Sequence, residues 1–251
     1  MTISEVLGIL FLSAPFLLLI YQQERSYRRK PNKSAVGEGF KSDGKSDLSS
    51  GAKSQLIKNI DSIGRALSSK HGHFKEAPFS LQASDSDNID AIQEQIYQLC
   101  EHCQLRGISV GATFVHEDNV ELLGFHGKNP AGHVVRFGKN RYSIWINPKF
   151  VGMGQVIGAI LAHEIAHIFA MEKNLQFKAA KNNGDNHKAS EQMTDLLAIA
   201  LGMGKISLQG CSYYRAQGQV QEVGTVGYLT PEMMHFAYDH WQKNRSSTIY
   251  L

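Results

Sequence analysis

The chain has 251 residues, enough for one domain of ordinary size with short appendages. Its formal net charge is only +3, with much of the excess in the first 60 residues. It therefore lacks the concentrated basic surface that nucleic-acid binding requires, and we predict no nucleic-acid partner. Three cysteines in a chain of this length do not form the framework of a disulfide-stabilised protein.

Residues 1–30 contain an apolar run with a basic flank. The sixteen residues from Val6 to Tyr21 carry no charge, which approaches the roughly 20 residues that cross a bilayer. The basic residues follow this run, between positions 25 and 30, and the positive-inside rule keeps such a flank in the cytoplasm. We predict a single-pass membrane anchor over residues 1–30, with the rest of the chain cytoplasmic. The alternative is a buried N-terminal helix of a soluble protein.

The next stretch, residues 31–54, consists mainly of Gly, Ser, Lys and Asp. Such a segment buries too little apolar surface to offset its chain entropy, so we predict a flexible linker. The remaining residues, 55–251, form the predicted folded domain.

Two helices open this domain. Apolar residues recur at helical spacing over Gln55–Leu67 and again over Asn88–Leu105, with Asn88 as an N-cap and Gly107 as a stop. The His-Gly-His sequence at 71–73 lies between them, and we predict a loop there and not a metal-binding pair.

A C-x-x-C pair, Cys100 and Cys103, lies in the second of these helices. His102 and Cys211 could complete a metal site with it, but the chain contains no second C-x-x-C. We therefore interpret Cys100 and Cys103 as reduced, buried thiols.

A β section follows. Ile108–His116 and Val120–Phe125 are predicted to form one hairpin, and Gly132–Phe137 and Arg141–Asn147 a second.

Gln155–Glu172 is apolar almost all round, which is typical of a buried helix. His163 and His167 are four residues apart and share a face of this helix, with Glu164 beside the first. An H-E-x-x-H sequence on a helix is typical of two zinc-binding histidines with a glutamate as general base. The alternative is a pair of core histidines that are satisfied by hydrogen bonds.

A catalytic zinc site has three protein ligands, so a third ligand should follow downstream. Ser190–Gly202 is predicted to be a second apolar helix, and it places Glu191 and Asp195 on one face. Unpaired carboxylates would be costly in such apolar company. We predict that Glu191 binds the metal and that Asp195 accepts the free N–H of a ligand histidine. His187 is a competing ligand.

The H-E-x-x-H sequence followed by E-x-x-x-D resembles the gluzincin metallopeptidases, over roughly residues 144–202. The resemblance implies an α+β fold, a zincin-like domain in which a small mixed or antiparallel sheet precedes the active-site helices. It also implies zinc-dependent hydrolysis of peptides. The residues implied as zinc ligands are His163, His167 and Glu191, with Glu164 as general base and Asp195 as the partner of a ligand histidine.

Two neighbouring families help to define this resemblance. Lys173 and Ala170 stand where the metzincin class has its third His and its Gly, so that class is excluded. Thr194, a small residue before Asp195, is similar to the pattern of the HtpX-type membrane proteases, which carry more membrane helices than this chain.

Two further roles come from the same resemblance. In proteases of this type a peptide substrate commonly adds itself to a strand just before the metal-binding helix, which here is Arg141–Asn147. Gluzincins often stabilise the oxyanion with a Tyr, His or Arg from the C-terminal region, where Thr230 and Pro231 open a final helix. Tyr228 and His235 are the candidates.

The resemblance thus implies a membrane-tethered zinc metalloendopeptidase that acts on protein or peptide substrates, with Glu164 as general base. One alternative is a non-catalytic zinc-binding regulatory or interaction module. Another is a metal hydrolase of a non-peptide substrate. No pattern in the chain predicts an oligomeric state.

Overall fold

The structure is a computed structural model, and it describes residues 36–37, 48–115, 131–176, 186–217 and 220–245. The anchor predicted over residues 1–30 lies outside these residues, as do most of the predicted linker and the strand predicted at Val120–Phe125.

The described residues form an α+β fold, as predicted, with six helices and two small sheets. The helices are α1 (Ser50–Ser68), α2 (Ile89–His102), α3 (Gly154–Glu172), α4 (Asn186–Ala198), α5 (Gly204–Gly210) and α6 (Pro231–Asn244). The strands are β1 (Val36–Gly37), β2 (Ser109–Phe114), β3 (Gly132–Gly138), β4 (Arg141–Ile146), β5 (Ser212–Gln217) and β6 (Val220–Thr225).

The helix caps follow from local sequence. The side chain of Asn88 accepts the N–H of Asp90 at the start of α2, which confirms the predicted N-cap. The Ser49 side chain accepts the N–H of Ala52, so α1 begins at Ser50, inside the stretch that was predicted to be linker. The buried apolar face that stabilises α1 begins at Leu56, and the capping Ser49 sets the start of the helix further upstream, in a stretch that composition shows to be poor in apolar residues.

The first sheet has the strand order β2-β4-β3. The hairpin of β3 and β4 confirms the prediction for Gly132–Phe137 and Arg141–Asn147. β2 pairs in parallel with β4, so its described partner is not the strand with which a hairpin was predicted. Alternating hydrophobicity encodes which face of a strand is buried, and it does not encode which strand lies beside it.

This strand order corrects the expected docking strand. β4 is paired on both sides, with β2 on one edge and β3 on the other. A substrate peptide therefore cannot add to Arg141–Asn147, because both rows of main-chain groups are already used. Among the described strands of this sheet, β2 and β3 each have one edge that no other described strand covers, and β3 packs on the helix Gly154–Glu172.

α3 is the central helix of the core. It packs on α4, α5 and the β3–β4 hairpin, and nearly all of its side chains are buried. It is also the one helix among the described residues that is long and apolar enough to cross a membrane. Since most of it is enclosed by the protein, its apolar character is explained by its position in the core.

The predicted helix end at Gly202 is a kink. α4 passes into a π-helical turn, Ile199–Met203, in which Gly202 has a φ of 84°, and α5 then continues the helical path. The residues after it form α5 and the β5–β6 hairpin, to which β1 adds antiparallel. These elements are short and lack a strong apolar period, which is why the sequence did not predict them.

Candidate metal centre

Two helices supply the side chains of the site. α3 presents His163 and His167 on one face, and α4 presents Glu191 and Asp195 one turn apart. His163 is 8% exposed and Asp195 is 3% exposed, so the polar ends of these side chains meet inside an apolar core. Groups of this kind are stable there only if they satisfy one another or hold an ion.

The ligand atoms of three of these residues converge on one point. Nε2 of His163 and Nε2 of His167 are 3.1 Å apart, and Oε2 of Glu191 is 3.0 Å from each. This is the one group of three His, Cys, Asp or Glu side chains in the described ranges that could hold a metal ion.

The shape of this triangle fits a small divalent ion. Zinc bonds to imidazole nitrogen and carboxylate oxygen are about 2.0–2.2 Å long, and in a tetrahedral site they set the ligand atoms about 3.3 Å apart. The observed separations of 3.0–3.1 Å are close to that value. The three residues can therefore hold a metal ion without a large rearrangement.

Asp195 orients the first histidine. One of its oxygens, Oδ1, lies 2.7 Å from Nδ1 of His163. The other, Oδ2, accepts the main-chain N–H groups of Tyr228 at 2.7 Å and Leu229 at 2.9 Å. With the Nδ1–H of His163 donated to Asp195, the lone pair of Nε2 faces the triangle, as a metal ligand requires.

The segment that holds Asp195 was not found from sequence. Gly227 has a φ of 93°, and a Cβ at this position would lie 3.1 Å from Oδ1 of Asp195. A glycine lets the backbone approach the carboxylate, so that the two following N–H groups can donate to it. The sequence signal for this segment was weak, because it consisted of a single Gly shortly before the Thr-Pro start of α6.

The charges in the group support one another. Burial alone would lower the pKa of His163, but hydrogen bonds to Asp195 and Glu191 outweigh it and raise that pKa well above its ordinary value. Burial likewise raises the pKa of Glu191, but His163 and His167 hold it well below the ordinary value. Two carboxylates that attract positive charge to this point also favour a cation there.

Glu164 lies beside the triangle and does not belong to it. Its side chain is 5% exposed, and burial raises the pKa of its carboxyl above the ordinary value. The charges of His163, His167 and Glu191 act on it, and a Cβ on Gly132 of β3 would lie 3.1 Å from its Oε1. Glu164 thus bridges the metal-binding group and the edge of the sheet.

The two oxyanion candidates lie in different surroundings. The ring of Tyr228 stacks on His163, with centroids 5.9 Å apart and planes 25° apart, and the residue is 39% exposed. His235 is exposed on α6, and the structure does not bring it into the group. The competing ligand His187 approaches Oε1 of Glu191 at 3.7 Å, while 75% of its side chain is exposed. It faces the carboxylate oxygen that lies outside the triangle.

His133 was missed by the sequence analysis. It is half-buried in β3, and its ring is 6.4 Å from that of Trp145. The charges of His167 and Glu191 act on its pKa. Burial, together with His167, lowers its pKa, so the imidazole is held neutral beside the site. A single histidine in a strand has no spacing that would distinguish it from a structural residue.

The other metal-ligand residue types have different roles. Cys100, Cys103 and Cys211 are buried free thiols, as predicted for the first two. Nε2 of His102 lies 2.9 Å from the main-chain oxygen of Leu201, so this ring is engaged by the backbone. The His-Gly-His sequence at 71–73 is a loop, as predicted.

The protein was compared with protein-family models, with curated proteins and with solved structures, and nothing matches it in any of the three.

Proposed function

We propose that this protein is a zinc metallopeptidase of the gluzincin type, a membrane-tethered endopeptidase. The observation that carries the proposal is the meeting of His163, His167 and Glu191 at 3.0–3.1 Å, next to the buried carboxyl of Glu164. A small sheet that precedes two helices bearing these residues is also the order of elements expected of a zincin-like domain.

The set of donor atoms favours zinc. Two imidazole nitrogens and one carboxylate oxygen are typical of catalytic zinc sites, which leave a fourth position open. Calcium and magnesium prefer shells made of oxygen atoms, and thiolate-rich sites select other metals. The second carboxylate, Asp195, accepts the Nδ1–H of His163 in the manner of the outer partners that tune zinc-bound histidines.

In the proposed hydrolysis, the metal-binding residues and Glu164 have separate roles. When bound, zinc supplies a Lewis acid that lowers the pKa of water toward neutrality and polarises a carbonyl group. Glu164 takes the proton of the attacking water and delivers it to the leaving amine. Its buried position directly beside the triangle suits this exchange, because a general base must lie within reach of the proton that it abstracts.

Tyr228, whose ring stacks on that of His163, supplies a hydrogen-bond donor beside the group. Burial, followed by the charges of Glu191 and Glu164, raises the pKa of its phenol above the ordinary value. The hydroxyl therefore stays protonated at neutral pH and can donate to the oxygen that becomes negative in the transition state. We favour Tyr228 over His235, because only Tyr228 contacts a residue of the triangle.

The edge of β3 favours a peptide over other substrates. An extended peptide can add to a free strand edge through main-chain hydrogen bonds, and these do not require a particular sequence. β3 contacts Glu164, so a peptide on this edge would lie beside the general base. Substrate pairing was predicted for Arg141–Asn147, but that strand is enclosed between two others, so we assign the pairing to β3.

The membrane part of the proposal rests on the apolar run and basic flank of residues 1–30. The proposed orientation exposes the catalytic domain to the cytoplasm. Protease added to vesicles that keep their cytoplasmic side sealed inside should leave the domain intact. Digestion of the domain in sealed vesicles would overturn this orientation.

Cleavage of casein or peptides by the purified full-length protein tests the proposed reaction. Glu164→Gln should lower the cleavage rate by roughly 10²–10⁴-fold, with zinc content unchanged. Glu172→Gln is the matched control, since this glutamate lies at the end of the same helix and contacts Tyr142 and Arg136. It should retain activity.

Other outcomes separate the alternatives. Zinc binding without cleavage of any substrate would favour a non-catalytic module. Hydrolysis of non-peptide esters or amides alone would favour a different metal hydrolase. Either result would contradict the peptidase proposal.

A further inference from the structure

Residues 227–229 join β6 to α6 and lie against the side chain of Asp195. The chain is anchored on both sides of this segment. Before it, the N–H of Val226 donates to the C=O of Cys211 at 2.9 Å, and after it, the side chain of Thr230 caps α6. The segment therefore has a fixed place in the fold.

α4 binds the main chain of Tyr228 at both of its polar groups. The N–H of Tyr228 donates to Oδ2 of Asp195 at 2.7 Å, and its C=O accepts from Nε2 of Gln192 at 3.3 Å. Gln192 and Asp195 are three residues apart, so they are neighbours on the surface of the helix. Because both groups are bound, α4 sets the direction in which the Tyr228 side chain leaves the backbone. The ring then stacks on that of His163, with centroids 5.9 Å apart.

Gly227 allows the segment to come this close to α4. Its φ is 93°, which favours glycine, and a Cβ there would lie 3.1 Å from Oδ1 and 3.2 Å from Oδ2 of Asp195. Both oxygens are already engaged, Oδ1 by His163 and Oδ2 by the segment. A side chain at position 227 would therefore push the segment away or disturb the contact between Asp195 and His163.

We propose that Gly227 and Gln192 are positioning residues for Tyr228. Through the shared carboxylate of Asp195, the place of this phenol is coupled to that of the proposed metal ligand His163. The assignment rests on the proposed peptidase function, in which Tyr228 donates to the oxyanion, and makes that function more specific. The donor and the metal ligand are held in one geometry before the substrate arrives, which lowers the cost of reaching the transition state.

The first test is Gly227→Ala in the full-length protein at saturating zinc. We expect kcat to fall by roughly 10–100-fold, with KM little changed, because the donor is displaced from the reacting oxygen. Gly107→Ala is the matched control. Gly107 has a similar φ of 76°, but no described atom lies within 4 Å of a Cβ there, so this change introduces the backbone strain alone. It should keep the parental kcat. A raised KM with unchanged kcat in Gly227→Ala would overturn the assignment.

Gln192→Met tests the second positioning residue without a change beside Asp195. It removes the donor to the C=O of Tyr228 and should lower kcat by a smaller factor than Gly227→Ala. In Tyr228→Phe, which lacks the hydroxyl, Gln192→Met should have no further effect, since no donor remains to be misplaced. Equal losses in the two backgrounds would show that Gln192 does not act through Tyr228. Gln98→Met, which removes a similar surface hydrogen bond on α2, is the control and should be neutral.

The coupling through Asp195 has its own measurement. In Gly227→Ala, zinc affinity should fall by roughly 10–100-fold, because the disturbed carboxylate no longer orients His163. Competition with a chelator measures this affinity, and Gly107→Ala should keep the parental value. Parental affinity in Gly227→Ala would overturn the coupling.

A further readout needs neither activity nor metal. A fluorinated tyrosine at position 228 gives one fluorine NMR resonance, whose shift depends on the stacked ring of His163. In the metal-free full-length protein, Gly227→Ala should move this resonance toward its position in denaturant, and Gly107→Ala should leave it in place. An unmoved resonance in Gly227→Ala would overturn the assignment. If the parent cleaves no peptide at all, the proposed peptidase function fails, and the resonance still decides whether Gly227 places Tyr228.

Discussion

A thiol pair at the end of α2 and an imidazole pair on α3 have similar close spacing, but among the described residues only the imidazole pair belongs to a group that could hold a metal ion. Cys100 lies in the last turn of α2 and Cys103 follows it as the C-cap, while His163 and His167 lie in α3. The thiols are buried, no third ligand joins them among the residues that the structure describes, and burial raises the pKa of Cys100 to about 12. The imidazoles instead face Glu191, which a second helix brings to within 3.0 Å.

The difference shows what a metal site needs beyond spacing. Helical periodicity brings two ligands to one face, but a third ligand and an outer partner must come from another element. α4 provides both, because Glu191 and Asp195 are one turn apart on the face turned to α3. Within the described ranges no group of further ligands meets the two thiols, and the nearby ring of His102 is engaged by Leu201.

Removal of the third proposed ligand, Glu191, should have the largest effect on zinc binding and on peptide cleavage. In Glu191→Ala we expect loss of stoichiometric zinc and of peptide cleavage, because two imidazoles alone do not form a three-ligand site. Zinc content by elemental analysis and cleavage of a peptide are the measurements. His187→Ala is the control, since this exposed side chain lies near the other oxygen of Glu191. Zinc retained by Glu191→Ala and lost in His187→Ala would reverse the assignment.

A smaller effect is expected from the outer partner. In Asp195→Asn one oxygen becomes an NH₂ group, which cannot accept a hydrogen bond. The side chain then loses either the Nδ1–H of His163 or the two main-chain N–H groups beside it. Zinc affinity should fall by about 10–100-fold, measured by competition with a chelator. Thr194→Ser, a neighbouring change on α4, should leave the affinity unchanged. An Asp195→Asn protein with parental affinity would show that this contact does not support the metal.

The smallest effect on the site should come from the thiols. Replacement of Cys100 and Cys103 by alanine should leave zinc content unchanged and lower the free energy of unfolding by about 1 kcal/mol for each residue, because each change leaves a small cavity. Metal analysis and denaturant unfolding check the two parts. Loss of zinc in this variant would contradict the conclusion that the thiols do not bind the metal.

The thiols also allow a test by chemical modification. Burial raises the pKa of Cys100 to about 12 and that of Cys211 to about 11, and it raises that of Cys103 as well. Alkylation requires the thiolate, which is scarce below these values, so at pH 8 the folded protein should react slowly. All three thiols should react rapidly in denaturant, as counted by mass spectrometry. Rapid labelling of Cys100 or Cys103 in the folded protein would contradict their burial.

Much of the site could be read from local sequence. The positions of His163, His167 and Glu191 as candidates follow from helical spacing and from the cost of burying unpaired carboxylates. The confirmed cap at Asn88 and the β3–β4 hairpin are also local features. Each depends on residues close together in the chain, where spacing has a direct geometric meaning.

The remaining features depend on contacts between distant segments. The strand order that encloses β4 was not predicted, since alternation does not specify a neighbour. The N–H groups of Tyr228 and Leu229 act through the backbone, which carries no residue-type signal. Their roles became visible only when the fold brought them to Asp195.

X-ray absorption at the zinc edge of the purified protein tests the proposed metal site directly. A site formed by His163, His167 and Glu191 should give one zinc per chain with a shell of nitrogen and oxygen atoms only, at about 2.0–2.2 Å, and with the outer-shell signal of two imidazoles. A sulfur shell at about 2.3 Å would assign the metal to the cysteines. That result, or a protein that binds no zinc, would contradict the site formed by His163, His167 and Glu191.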